Sequence, residues 1–118
     1  MKFYKIDDQV VLSDKELSVG TELIPNTTDA AGEKHVPVIS ISNNTVKVAV
    51  GSVEHPSFPE HYIEFIALET DKGLQMKWGK PGVVPIAFFT ISEDETVLAA
   101  YEYCNLHGLW MASLKPAE

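Results

Sequence analysis

Between residues 36 and 50 the apolar side chains fall at alternate positions. Val36, Val38, Ile39 and Ile41 lead into Asn43-Asn44, after which Val46, Val48 and Val50 alternate with Thr45, Lys47 and Ala49. Successive side chains of an extended strand point to opposite faces of a sheet, whereas a helix brings them round every ~3.6 residues. The Asn-Asn pair sits where the pattern reverses, so the stretch reads as a β-hairpin. The same signature continues downstream. Residues 62–68 form a strand, Asp71-Lys72-Gly73 a turn, and Leu74, Met76 and Trp78 an alternating strand ended by Gly79. Lys80-Pro81-Gly82 turns the chain again. Residues 83–91 make a nearly continuous apolar run, as a central sandwich strand would, with Pro85 requiring an edge or a bulge. Residues 109–114 close the series, and residues 115–118 are expected to fray.

One segment carries two signals. Ser92-Glu93-Asp94-Glu95 fits a helix capping box and Leu98-Ala99-Ala100 suits a helix, while Val97, Ala99, Tyr101 and Tyr103 alternate as a strand would; the strand is the preferred reading. Short strands with turns at regular spacing imply an all-β fold, an immunoglobulin-like antiparallel β-sandwich. Phe65, Trp78, Phe88, Phe89 and Tyr101 lie within strand patterns and are expected in its core, with Trp110 beneath the loop before the last strand. Residues 1–32 are the least patterned. Val10-Val11-Leu12 reads as a short strand, Gly20 as a turn, and Leu23-Ile24-Pro25 as an edge that Pro25 ends. The expected organisation is a shortened N-terminal segment over 1–32 and one β domain over 33–118.

With 118 residues, 45% of them apolar, the chain can fill a single core. It contains neither a long apolar run nor a basic start followed by an apolar stretch, so a cytoplasmic protein with no membrane partner is expected. Without a secretory signal, Asn26-Thr27-Thr28 and Asn43-Asn44-Thr45 are polar turns rather than glycosylation sites. A net charge of -8 argues against nucleic acid, since phosphate binding requires clustered Lys and Arg. One cysteine rules out an internal disulfide and suits a reducing compartment where a thiolate stays available.

The chemistry-bearing residues fall on the expected loops. His35 follows Glu33-Lys34 just before the first clear strand, His55 and His61 bracket a five-residue loop, and Cys104 and His107 span the turn before the last strand. Together they are all of the chain's histidines and cysteines, and all five can meet at one end of a sandwich. A single histidine in a loop is ordinarily a surface residue, and a single cysteine a small buried apolar one. The joint pattern, Cys-x-x-His plus His-x5-His, favours a convergent metal site.

Glu33-Lys34-His35-Val36-Pro37-Val38, His55-Pro56 followed by His61-Tyr62-Ile63, and Cys104-Asn105-Leu106-His107-Gly108 resemble the three signature segments of the desulfoferrodoxin and neelaredoxin family, the non-haem iron superoxide reductases. The likeness runs over roughly residues 26 to 112. It implies an immunoglobulin-like sandwich holding a mononuclear iron in square-pyramidal coordination. The implied ligands are His35, His55, His61 and His107 in the equator and Cys104 as axial thiolate. It further implies that Glu33 can occupy the sixth position of the oxidised iron and that Lys34 draws in superoxide and supports its protonation. The implied reaction is one-electron reduction of superoxide to hydrogen peroxide, with re-reduction by a rubredoxin-like electron donor, in a homo-oligomer, a dimer or tetramer. Two-iron members carry a cysteine-rich N-terminal segment with a four-cysteine iron; residues 1–32 here contain no cysteine, so the likeness is to the one-iron form.

Elementary coordination chemistry agrees with these implied ligands. Zinc prefers four ligands in a tetrahedron, and copper electron-transfer centres prefer two histidines, a cysteine and a weak axial group, so four imidazoles plus a thiolate favour iron. A thiolate opposite an open position pushes electron density onto the metal, and backbone amides near Asn105 and Leu106 would tune it. In an extended segment Glu33 and His35 point one way and Lys34 the other, so both reach the site only if the backbone turns after Gly32. The competing readings are a Cys104/His107 nucleophile, for which three residues in a tight turn is poor geometry, and a metal-free or electron-transfer interaction module.

Overall fold

In a computed structural model that describes residues 1–114, the chain forms ten strands and a single helical turn. The strands are β1 (Lys2–Ile6), β2 (Gln9–Ser13), β3 (Thr21–Leu23), β4 (Pro37–Ser42), β5 (Thr45–Val50), β6 (Ile63–Thr70), β7 (Gly73–Trp78), β8 (Ile86–Thr90), β9 (Val97–Cys104) and β10 (Gly108–Ser113), with α1 (Gly32–His35) between β3 and β4. Three antiparallel sheets result, ordered β2-β1-β3, β10-β9-β6-β7 and β4-β5-β8. The last two face each other as the expected immunoglobulin-like sandwich.

The alternation of β5 settles the inner face. Val46, Val48 and Val50 are buried against Ile66, Leu68, Phe89 and Ala100, and the β4–β5 hairpin turns at Asn43, whose φ of 53° lies in the left-handed region that asparagine tolerates. Strands β6 and β9 are buried on both faces because the first sheet covers their outer side. Phe3 of β1 packs at ring-centroid distances of 4.8 Å from Tyr101 and 6.0 Å from Phe65. Residues 1–32 therefore add a third layer, and β1 is a strand whose sequence shows little period. Among the described residues no helix is long and apolar enough to cross a membrane.

Other expectations need correction. Residues 83–91 do not form one central strand: β8 begins after Pro85, whose ring supplies no N–H, and it lies at the edge of its sheet. Phe88 is consequently exposed, as is Trp78 on edge strand β7, whereas Phe65, Phe89 and Tyr101 are in the core. The capping-box signal at Ser92 is locally real, with the Ser92 N–H and hydroxyl both donating to Glu95 Oε1, but it closes a turn before the strand β9 rather than a helix. The expected fraying of residues 115–118 lies outside the described residues.

Candidate metal centre

All five sequence-identified ligand residues meet at one end of the sandwich. The strands deliver them from three directions: His35 ends α1, His55 and His61 lie on the β5–β6 connection, and Cys104 and His107 flank the turn between β9 and β10. The four imidazoles form a closed cycle. Ring centroids are 4.8 Å apart for His35–His55, 4.6 Å for His55–His61, 5.0 Å for His61–His107 and 4.9 Å for His107–His35, and every neighbouring pair is close to perpendicular. Cys104 Sγ lies 3.5 Å from His55 Nε2 and 4.0 Å from His107 Nδ1. One ligand atom from each of His35, His55, His61 and Cys104 falls within 4.8 Å of the others. His107 joins them through Nδ1, 3.1 Å from His35 Nε2.

Hydrogen bonds aim the donor atoms inward. His35 Nδ1–H donates to the Ala31 carbonyl at 2.7 Å and His55 Nδ1–H to the Pro56 carbonyl at 2.6 Å, which leaves each Nε2 lone pair directed at the cluster. His61 Nε2 is buried without a hydrogen-bond partner. Buried polar atoms are seldom orphaned, so a converging set of lone pairs fits a cation better than it fits itself. The donor set, four imidazole nitrogens in a cycle with one sulfur beside them, suits a metal of more than four ligands.

Electrostatics point the same way. Burial lowers the imidazole pKa of His35 and His61, and pushes that of His55 down to about 4. The rings are therefore held neutral, the form that binds metal. Burial pushes the Cys104 thiol up, while the backbone N–H groups of Leu106 and His107 pull it down. These amides, rather than that of Asn105, are the ones that serve the sulfur; the Asn105 N–H donates to the Tyr62 carbonyl.

A histidine that is ordinarily protonated below 6.5 but stays neutral to about 4 sets the acid response. In that window the unfolded chain takes up a proton that the folded site refuses, so stability falls as the pH drops through it. Because the ring is already hard to protonate, a bound metal is expected to survive stepwise acidification through the ordinary histidine value of 6.5 and to leave only well below it. Metal analysis after dialysis at each pH checks this, and release near the ordinary histidine value contradicts it.

Glu33 and Lys34 are exposed on α1. The backbone does turn after Gly32, and the Lys34 charge reaches the cluster, adding to the depression of His35 and His61. Two residues escaped the sequence reading. Asn105 receives the Tyr62 N–H on Oδ1 at 2.9 Å and donates from Nδ2 to the Glu60 carbonyl at 3.1 Å, so it grips the chain on both sides of His61. Its position between two ligand residues was the only hint. Glu102 is fully buried, both carboxyl oxygens lack partners, and burial pushes its pKa up to about 9. It is thus neutral near pH 7, two residues before the sulfur and on the same face of β9. Strand periodicity places it there, but a charged residue in a doubly buried strand defeats that logic.

A family model, described as Desulfoferrodoxin, matches residues 27–113. The chain is 47% identical over 103 residues to a desulfoferrodoxin of Clostridium acetobutylicum, covering 84% of this chain and 80% of that one. It is 38% identical to a superoxide reductase of Thermococcus kodakarensis, covering 70% of this chain and 86% of the relative. The superoxide reductase crystal structure from Treponema pallidum superposes with a TM-score of 0.86 at 36% identity, over 96% of this chain and 99% of that one.

Proposed function

The chain belongs to the desulfoferrodoxin family, and from that premise we infer that it is a superoxide reductase: an oxidoreductase that reduces superoxide by one electron, with two protons, to hydrogen peroxide at a non-haem iron. The observation that carries this reading is the closed cycle of four imidazoles with a buried sulfur beside it. His35, His55, His61 and His107 are proposed as the imidazole ligands that would hold the iron, and Cys104 as its thiolate ligand. Iron held there would supply the transferable electron. Everything else is the work of the chain. The Ala31 and Pro56 carbonyls orient His35 and His55, Asn105 holds the segment around His61, and the amides of Leu106 and His107 stabilise a sulfur that burial alone would keep protonated. Purified protein is expected to carry one iron per chain and to turn blue on oxidation. An iron-free, colourless preparation from iron-replete cells contradicts the reading.

Lys34 is proposed to attract the anion and to support proton delivery. The overall charge of -8 opposes an anionic substrate, but exposed charges are screened over roughly 8–10 Å, so a local ammonium and the metal dominate at the site. Lys34→Ala is expected to slow the bimolecular reaction with superoxide by about tenfold and to flatten its salt dependence. Glu33 is proposed as the carboxylate that would reach the oxidised metal, so Glu33→Ala should shift the oxidised spectrum and admit azide. Stopped-flow at several ionic strengths and azide titration check the pair, and unchanged rates and spectra overturn these roles.

The remaining assignments are proposals of the same kind. Residues 33–118 form the iron-binding unit and residues 1–32 a cysteine-free N-terminal layer. The protein works in the cytoplasm as a homo-oligomer, accepts electrons from a rubredoxin-like donor, and has neither nucleic acid nor membrane as partner, in keeping with its acidic charge. Redox titration with reduced rubredoxin tests the donor, and light scattering tests the assembly.

A further inference from the structure

We propose that Trp110 is a positioning residue that sets the ring plane of His35 by stacking against it, an inference that rests on the five-ligand reading of the site. The hydrogen bond from His35 Nδ1 to Ala31 fixes one point of the imidazole but leaves the ring free to tilt about that bond. Trp110 removes this freedom. Its indole lies nearly parallel to His35, with centroids 4.9 Å apart and an interplanar angle of 24°. That offset stack is favourable in itself and blocks rotation on one face of the ring. The edges of His55 and His107 stand against His35 at 78° and 86°. The indole N–H also donates to the His107 carbonyl at 3.0 Å. That bond orients the indole itself.

Trp110 is itself immobilised. It is 4% exposed, and the residues on either side of it are tied to Asn26. The Asn26 N–H donates to the Leu109 carbonyl at 3.0 Å, its Nδ2 to the Met111 carbonyl at 3.1 Å, and the Met111 N–H returns a bond to Oδ1 at 2.9 Å. The φ of 63° at Asn26 belongs to the left-handed region, which asparagine accepts more readily than most residues. The segment after β3 therefore serves the centre through β10, by holding the strand that holds the indole.

The test compares Trp110→Leu with Trp110→Phe in iron-loaded protein beside the parent. The readouts are iron loss to a chelator, the electron paramagnetic resonance spectrum of the oxidised centre, and the melting temperature. Trp110→Leu, which removes the stack, is expected to lose iron about 10–100-fold faster and to change the symmetry of the resonance signal. Trp110→Phe keeps an aromatic face and should fall within about threefold of the parent with its native signal. A lower melting temperature with unchanged iron loss and resonance in both variants overturns the proposal, as does equal loss in both, which assigns the effect to the indole N–H. If Trp110→Leu does not fold, Trp110→Phe decides: a native signal supports the stack and an altered one overturns it. The parent's own iron binding and superoxide reaction report separately on the functional reading, so its failure is distinguishable from failure of the Trp110 assignment.

Discussion

Replacing Cys104 by serine is expected to abolish the visible sulfur-to-iron absorption and to reduce superoxide reduction by about 100-fold or more, while leaving the fold intact. Removal of a group that merely supports a metal ligand typically costs 10–100-fold, and loss of the ligand itself should exceed that. A thiol can ionise at a metal at neutral pH, whereas a serine hydroxyl does not, so the substitution removes a charged donor rather than resizing it. The sulfur is fully buried, 3.5 Å from His55 Nε2, with two backbone amides directed at it. A smaller hydroxyl at that position leaves those amides without their anionic partner. The four imidazoles are untouched, so iron content should fall less than activity. Absorption spectra, iron analysis and superoxide kinetics on the same sample provide the check. A variant that keeps the native absorption removes Cys104 from the ligand set.

Gly51→Ala should be strongly damaging although Gly51 is not among the candidate ligands. Gly51 ends β5 at a φ of 78°, a conformation that L side chains rarely adopt. A Cβ there would lie 2.6 Å from the carbonyl oxygens of both Glu33 and Val53, and 2.7 Å from the Lys34 carbonyl carbon. All three are backbone atoms that cannot swing aside. The Val53 N–H donates to the Glu33 carbonyl at 2.9 Å, and the Gly51 N–H to the Val36 carbonyl at 3.2 Å, so this glycine seats the helical turn that carries His35. Backbone strain and overpacking together are expected to cost about 3 kcal/mol or more. Denaturant unfolding should show a lowered midpoint, and metal analysis a loss of iron under conditions where the parent retains it. Parent-like stability and iron retention would mean that α1 is not anchored through Gly51.

The sandwich was legible because its strands announce themselves by period: the valines of β5 alternate, and the Asn43-Asn44 pair marks the reversal. The candidate metal residues were legible because they lie in short segments whose spacing, Cys-x-x-His and His-x5-His, marks a convergent site. Elsewhere the physics is not local. Residues 1–32 looked unpatterned because β1 is anchored by Phe3 against Phe65 and Tyr101 of other strands, contacts that no window of neighbouring residues contains. Trp78 and Phe88 looked like core because alternation identifies a face without saying whether anything covers it, and both lie on edge strands. The side-chain roles of Asn105 and Trp110 at the site were hidden for a different reason. Their value lies in contacts to Glu60, Tyr62 and His35, each more than forty positions away.

The proposed five-ligand iron centre should reduce superoxide without dismutating it. Pulse radiolysis of the iron-loaded, pre-reduced protein tests this most directly, with peroxide and dioxygen measured together. The expected result is one hydrogen peroxide for each superoxide consumed, one electron withdrawn from the centre, and no dioxygen. Dioxygen formed alongside peroxide, or superoxide decaying at its uncatalysed rate, would contradict it.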